Sequence, residues 1–173
     1  MNNFIPDIYQ KNIFTIDYQK LKDRGIKCLI FDLDNRLAPL CSNKPCKELK
    51  ELFAHLNDFD FKMIILSNSG QKRVSPFKEE LNIDSAYRAC KPFSFKYKKI
   101  LKIYKYQETE VACIGDQILT DIYGANKMGF TSIFVEQLTP DTFIGTKINR
   151  FFERIILNSL RKRGIYERGK YYD

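Results

Sequence analysis

Four short apolar runs punctuate the chain, at residues 28–31, 63–66, 111–114 and 132–135. Each run is nearly continuous rather than alternating, as expected for strands that are buried on both faces of a parallel sheet. Segments with helical spacing lie between them, at residues 46–56, 75–81, 93–106 and 116–128. This alternation predicts an α/β fold of βαβ units, with a fifth, weaker strand around residues 85–89.

The C-terminal part has a different pattern, which predicts an amphipathic helix over about residues 146–163. Residues 146–173 contain eight Lys or Arg and three Asp or Glu, a surplus of five positive charges. In one interpretation, the apolar stripe packs on the sheet and the arginines are solvated. In the other, the helix contacts an anionic membrane surface or RNA. The apolar positions are Ile148, Phe151, Phe152, Ile155, Ile156 and Leu160, and the basic face contains Lys147, Arg150 and Arg154.

The length of 173 residues suits a single domain over residues 1–173, with a core at about 25–138. The net charge of +8 favours anionic partners. No apolar run approaches the roughly 20 residues of a membrane span, and residues 1–12 lack the apolar core of a signal peptide. We therefore expect a cytoplasmic protein.

Polar fragments follow the predicted strands in a fixed order. Because an open α/β sheet gathers its ligand-binding groups at the carboxyl ends of its strands, we expect these fragments to meet in one crevice. Together they predict a phosphate site. The fragments are Asp32 and Asp34, then Ser67 and Asn68, then Lys91 before Pro92, and last Asp116 and Asp121.

The acidic residues suggest metal-assisted phosphoryl transfer. Mg²⁺ prefers hard oxygen ligands, and we expect Asp32, Asp34 and Asp116 to hold it, with a backbone carbonyl among the donors. The metal would neutralise charge on the phosphoryl group, so that Asp32 can attack phosphorus and form an aspartyl-phosphate.

The remaining residues complete this mechanism. Asp34 would act as general acid towards the leaving oxygen and then as general base towards water. Ser67 and the backbone N–H of Asn68 would donate hydrogen bonds to phosphoryl oxygens, while Lys91 supplies a fixed positive charge. Asp121 would be a second metal contact or would orient the other acids.

At these residues the chain resembles the haloacid dehalogenase (HAD) superfamily of Mg²⁺-dependent aspartate phosphatases. Their pattern is Asp-x-Asp-x-Thr/Val, a Ser or Thr, a Lys and a final acidic pair, and the resemblance covers residues 27–135. The chain is still more similar to the YqeG family of capless HAD phosphatases. That similarity is carried by Ile5-Pro-Asp-Ile-Tyr, Phe31-Asp-Leu-Asp-Asn, Ile65-Leu-Ser-Asn-Ser and Ile114-Gly-Asp-Gln-Ile-Leu-Thr-Asp, and it continues into Asn149-Arg150 and Glu153-Arg154.

The resemblance implies a three-layer, Rossmann-like fold around a parallel five-stranded sheet of order 5-4-1-2-3. It implies the same roles for the site residues: Asp32 as nucleophile, Asp34 as acid and base, Ser67 and Lys91 as phosphate binders, and Asp116 as metal ligand supported by Asp121. Relatives include phosphatidylglycerophosphate phosphatases. We therefore expect phosphatidylglycerophosphate or another bulky anionic phosphoester as substrate, and a peripheral position at the inner face of the membrane.

Arg36 departs from the pattern, which has Thr or Val at this position. Its side chain could pair with the phosphate or with a second anionic group of the substrate, could crowd the site, or could reach solvent. The alternative function is therefore a weak or inactive HAD module that binds RNA, a ribosome or a membrane through the basic C-terminal helix.

Overall fold

A parallel sheet of six strands forms the centre of the protein in a computed structural model. The structure describes residues 2–34, 43–136 and 144–173, with the backbone alone for residues 2 and 144–150. In the described residues the spatial order is β1-β6-β5-β2-β3-β4, and every pairing is parallel. The strands are β1 (Ile8–Gln10), β2 (Cys28–Phe31), β3 (Lys62–Leu66), β4 (Asp84–Ala86), β5 (Val111–Gly115) and β6 (Thr131–Val135).

The five predicted strands are β2 to β6, and their observed order is the expected 5-4-1-2-3. The predicted strand count of five is wrong, because β1 adds a sixth strand beside β6. β1 is only three residues long and carries no extended apolar run. It is recognisable only from its pairing with Ile133 to Val135.

Six α-helices cover the sheet in the described residues. Helices α1 to α3 pack with one apolar cluster on one face, and helices α4 and α5 pack with a second cluster on the other. This gives the expected three layers. The helices are α1 (Tyr18–Asp23), α2 (Lys47–Asp58), α3 (Gln71–Leu81), α4 (Phe95–Tyr104), α5 (Tyr123–Met128) and α6 (Ile144–Lys162).

The free edge of β1 is covered by the C-terminal segment. Tyr9 and Tyr172 exchange two backbone hydrogen bonds, of 2.8 and 3.0 Å. The Tyr9 ring is fully buried and contacts Tyr166, Tyr171 and Tyr172. Covering an edge strand in this way removes a surface that could pair with another chain. The same pairing places the residues after α6 against the edge of the sheet.

Helix α6 divides its apolar residues between two environments. Leu160 is buried, and Ile156 packs against a small cluster that contains Tyr9 and Phe134. Phe151 and Ile155 are 60% and 53% exposed, as is Phe152 at 51%. The interpretation that the whole stripe packs on the sheet is therefore wrong for these three residues, because they point away from the buried face of the helix. Among the described helices, none is long and apolar enough to cross a membrane.

Candidate functional site

Three of the predicted site residues follow directly on central strands. Asp32 comes after β2, Ser67 after β3 and Asp116 after β5, and all three are buried. Strands β2, β3 and β5 are neighbours and run parallel, so their carboxyl ends place these side chains at one edge of the sheet.

Lys91 reaches the same place by a different route. The sequence predicts Lys91 just after a fifth strand around residues 85–89, but β4 ends at Ala86 and Lys91 lies in a turn five residues later. The intervening loop contains Arg88 and Cys90 with φ angles of +47° and +53°, and the Lys91–Pro92 peptide bond is cis. Residues other than Gly rarely adopt left-handed φ angles, so the sequence gives no sign that Arg88 and Cys90 do so. The pattern of apolar residues therefore cannot predict this loop.

The Lys91 side chain is buried between two carboxylates. Its Nζ lies 2.7 Å from Asp32 Oδ1 and 2.6 Å from Asp121 Oδ1, and the side chain is 4% exposed. The backbone N–H of Lys91 donates to Asn68 Oδ1 at 2.7 Å, and Asn68 Nδ2 donates back to the Lys91 carbonyl at 3.4 Å. Lys91 is therefore fixed at both its backbone and its ammonium group.

Three carboxylates meet beside this ammonium group. Asp32, Asp116 and Asp121 each offer an oxygen, all within 4.8 Å of one another, and all three residues are buried. Buried like charges at this separation repel, so they require a compensating cation. Lys91 supplies part of that charge, and the hard oxygen donors fit a divalent metal. The role of each acid in metal binding stays a prediction.

The electrostatics of Asp32 and Lys91 depend on each other. Burial raises the pKa of Asp32 to about 6, although the positive charge of Lys91 opposes this rise. For Lys91, burial would lower the pKa, but the carboxylates of Asp121 and Asp32 outweigh burial and raise the pKa above its ordinary value. The ammonium group therefore stays protonated at neutral pH, as a phosphate-binding role requires.

Asp34 lies in a separate network, and the three-carboxylate cluster does not include it. Its Oδ1 accepts a hydrogen bond from Arg73 Nε at 2.8 Å. Its Oδ2 accepts from Ser69 Oγ at 2.5 Å and from Ser67 Oγ at 3.3 Å. In the described residues the Asp34 side chain thus makes an ion pair with Arg73, and its predicted roles as metal ligand and as acid and base stay predictions.

Arg73 and Ser69 also contact the site, although the sequence pattern does not single them out. Arg73 lies in the first turn of α3, six residues after Ser67, where a helix that follows a site strand can direct a side chain back over the crevice. In the sequence, the position of Arg73 in that turn is the sole indication of a role at the site. This position does not distinguish Arg73 from a basic residue that is exposed to solvent.

Asp121 is positioned by an irregular helical turn. Residues Ile118–Ile122 form a π-helical turn before α5, and the Gln117 N–H donates to Asp121 Oδ2 at 3.1 Å. Gly115 makes room for the carboxylate, because a Cβ atom at that position would lie 2.3 Å from Asp121 Cγ. Gly115 therefore has a steric role, which its place directly before Asp116 in the sequence could have indicated.

Glu153 belongs to the motifs that carry the family resemblance, but its sequence position gave it no role at the site. It is buried on α6, and its Oε1 accepts a hydrogen bond from the Leu119 N–H at 3.3 Å. This contact joins α6 to the turn that carries Asp121. Arg36, the departure from the superfamily pattern, lies outside the described residues.

The proteins and the family model that this sequence resembles are all described as phosphatases. A family model described as mitochondrial PGP phosphatase matches residues 1–138. A protein of Bacillus subtilis (strain 168) named "Probable phosphatase YqeG" is 35% identical over 161 residues, which cover 93% of this chain and 94% of that protein. Phosphatidylglycerophosphate phosphatase 1, chloroplastic/mitochondrial, of Arabidopsis thaliana is 23% identical and matches 91% of this chain. The match spans 49% of the plant protein's length.

Solved structures share the fold. A crystal structure of an uncharacterized protein from Listeria monocytogenes serotype 4b aligns with a TM-score of 0.53 at 16% identity, over 76% of this chain and 99% of that one. The cobalt-bound form of deoxy-D-mannose-octulosonate 8-phosphate phosphatase (YrbI) from Haemophilus influenzae aligns with a TM-score of 0.52 at 16% identity. That alignment covers 86% of this chain and 96% of the phosphatase chain.

Proposed function

The chain belongs to the YqeG and PGP-phosphatase-like family of HAD phosphatases, and from this premise we propose that it is a Mg²⁺-dependent phosphomonoesterase that forms an aspartyl-phosphate on Asp32. We further propose phosphatidylglycerophosphate as its substrate. The observation that supports the mechanism best is the buried contact of Lys91 with Asp32, beside Asp116 and Asp121.

In this mechanism a carboxylate oxygen of Asp32 attacks phosphorus, and the bond from phosphorus to the leaving oxygen breaks. Asp34 protonates that oxygen. Asp34 then removes a proton from a water molecule, which attacks the phosphorus of the aspartyl-phosphate and releases inorganic phosphate and free Asp32. Ser67, the Asn68 backbone N–H and Lys91 would bind the phosphoryl oxygens.

Asp32, Asp34 and Asp116 are the proposed Mg²⁺ ligands, and Asp121 would support them. When bound, the cation would offset the negative charge of the phosphoryl group. Asp34 is oriented by Ser69 and Arg73, whose contacts of 2.5 and 2.8 Å hold its carboxylate beside Ser67. This orientation suits a proton carrier whose position must be fixed while the substrate reacts.

A bulky substrate requires an open crevice. In the proposed arrangement residues 1–173 form one HAD-like domain without a cap, because the segments from Asp34 to Ser67 and from Ser67 to Lys91 are short once α2 and α3 are counted. A phospholipid headgroup could then enter while its acyl chains stay in the bilayer.

Helix α6 carries a surface that suits such a substrate. Phe151, Phe152 and Ile155 are exposed on one side of the helix, and the exposed Arg154 and Lys162 lie close by. We propose that this face, the α6 apolar face, contacts an anionic membrane at the cytoplasmic side. Apolar side chains beside basic ones bind the boundary between headgroups and acyl chains, where anionic lipids attract the charges.

The experiment that tests the enzymatic proposal is phosphate release from a panel of phosphomonoesters that includes phosphatidylglycerophosphate in mixed micelles. We expect release with Mg²⁺ and loss of release with EDTA. Asp32→Asn should lower the rate by about 10⁴-fold or more, because it removes the nucleophile. Equal rates for both proteins in all conditions would contradict the proposal and favour an inactive module.

The membrane proposal is tested by co-sedimentation with vesicles. Wild-type protein should bind vesicles of phosphatidylglycerol more strongly than vesicles of phosphatidylcholine, and binding should weaken with salt. The triple variant Phe151→Ser, Phe152→Ser, Ile155→Ser should lose binding. A matched control, Phe14→Ser with Ile103→Ser, changes residues of similar exposure elsewhere and should retain it. Salt-sensitive binding to RNA without vesicle binding would favour RNA as the partner instead.

A further inference from the structure

A cavity of about 480 Å³ lies between the carboxyl ends of β5 and β6 and the C-terminal helix α6. Asp116 of the three-carboxylate cluster forms part of its wall. Phe134 and Leu157 supply apolar surface, while Arg154 and Arg161 supply positive charge. The cavity thus reaches one residue of the three-carboxylate cluster, and its volume lies in the range of small-molecule sites, roughly 300–1,000 Å³.

The charges of the wall are unequally compensated. Glu136 lies 3.9 Å from Arg168, Glu167 lies 2.7 Å from Lys170, and Glu153 accepts the Leu119 N–H. In the part of the chain that the structure describes, neither Arg154 nor Arg161 forms an ion pair. Two guanidinium groups on one wall therefore have no carboxylate partner among these residues.

The two arginines also share a side of the helix. They are seven residues apart, which is nearly two turns and about 10 Å along the axis. Leu157, one turn from each, is half-buried between them. Both arginines can therefore face one extended ligand in the cavity.

We propose that this cavity is the leaving-group subsite of the phosphatase, in which Arg154 and Arg161 bind a second anionic group of the substrate. This inference rests on the proposed function. The reacting phosphoryl group would lie at the Asp116 end, and a phosphodiester, phosphate or carboxylate of the leaving group would lie against the arginines. Guanidinium groups suit this role because they bind such anions in a bidentate manner.

The position of the arginines explains how a lipid could use the subsite. With 100° of rotation per residue, Arg154 and Arg161 lie between the cavity-facing Leu157 and the exposed Phe151 and Ile155 of the α6 apolar face. An anionic headgroup could enter the cavity while acyl chains stay beside that face. A soluble ester with a second phosphate presents the same anion without the chains, so both are candidate ligands.

The test compares substrates that differ only in the leaving group. Glycerol phosphate has a neutral leaving group, a glycerol bisphosphate has an anionic one, and phosphatidylglycerophosphate has the anion and acyl chains. The double variant Arg154→Gln, Arg161→Gln should lower kcat/KM by about 10- to 100-fold for both anionic substrates, because charge-assisted hydrogen bonds are lost. It should leave glycerol phosphate hydrolysis unchanged. Arg24→Gln, which removes an exposed guanidinium group at the end of α1 and outside the cavity, should change none of the three.

Three other outcomes would contradict the leaving-group subsite. Unchanged kcat/KM for the bisphosphate in the double variant would overturn the subsite. A loss confined to the lipid substrate would also overturn it, because the arginines would then act on the membrane surface. An equal loss on all three substrates would contradict a role specific to the leaving group.

Binding of glycerophosphoglycerol tests the subsite without catalysis. This compound is a phosphodiester with no phosphomonoester to hydrolyse, so calorimetric titration reports the second anionic group alone. We expect binding to wild-type protein and to Arg24→Gln, with about 10-fold or greater weakening in the double variant. Absence of binding to the wild type would overturn the subsite even if the enzyme is active. Binding without any phosphatase activity would support the subsite and contradict the proposed function.

Discussion

The proposed catalytic crevice and helix α6 both carry charged residues at the carboxyl end of the sheet, but the crevice buries its charged residues whereas α6 leaves two arginines exposed. Lys91 is 4% exposed and contacts two carboxylates within 2.7 Å. Arg154 and Arg161 are exposed and have no ion pair among the described residues. Buried charges must be compensated within the protein, whereas exposed ones can be left for a ligand. The crevice therefore compensates its own charges, whereas the two arginines of α6 are left for a ligand.

The largest effect on stability should come from removing the contacts of Lys91 with Asp32 and Asp121. Lys91→Met leaves Asp32 and Asp121 buried without their shared cation, which should lower the free energy of unfolding by about 3–5 kcal/mol. Lys162→Met, the matched change on α6, should alter it by less than about 0.5 kcal/mol. Denaturant unfolding of both variants in EDTA measures this difference. Equal stabilities would show that the Lys91 contacts do not hold the crevice together.

A second pair of variants compares the two sides of α6 itself. Leu160→Ala removes a buried side chain and should lower the free energy of unfolding by about 2–5 kcal/mol. Phe151→Ala removes an exposed ring and should change it by less than about 0.5 kcal/mol. Thermal or denaturant unfolding distinguishes them. A large cost for Phe151→Ala would mean that this ring packs against the protein, and would remove the basis of the membrane proposal.

The smallest of these effects concerns the backbone beneath the carboxylates. Gly115→Ala places a methyl group against the Asp121 carboxylate and should cost about 1–3 kcal/mol by overpacking, with a loss of phosphatase activity. Gly70→Ala is the control, because a Cβ atom there meets nothing within 4 Å and its effect should stay below about 1 kcal/mol. Unfolding curves and phosphate release, measured on the same samples, report both consequences. A fully active and stable Gly115→Ala protein would contradict the placement of Asp121.

The sheet was predictable because its strands are continuous apolar runs whose burial leaves little choice of partner. The order of β2 to β6 agrees with the superfamily resemblance, and Asp32, Ser67 and Asp116 follow their strands as predicted. Strand β1 was missed because three residues carry too little pattern. It is defined by pairing with β6 and Tyr172, and pairing is a tertiary property.

The network of the crevice was only partly predictable. The sequence identified Lys91 and Asp121, but not that one ammonium group joins Asp121 to Asp32. Arg73 was missed because its ion pair with Asp34 depends on where α3 begins, and helix starts are poorly defined by sequence. The exposure of Phe151 was not predictable either, since periodicity shows that a helix has an apolar side but not what covers it.

The covalent role of Asp32 is the central claim, and acid quenching during turnover tests it most directly. Protein mixed with substrate and Mg²⁺, quenched in acid and digested, would be searched by mass spectrometry for a phosphate group on the peptide that contains Asp32. We predict a phosphorylated Asp32 in the wild type and no adduct in Asp32→Asn. Hydrolysis at the wild-type rate by Asp32→Asn, or a phosphate adduct on a different residue, would contradict the mechanism.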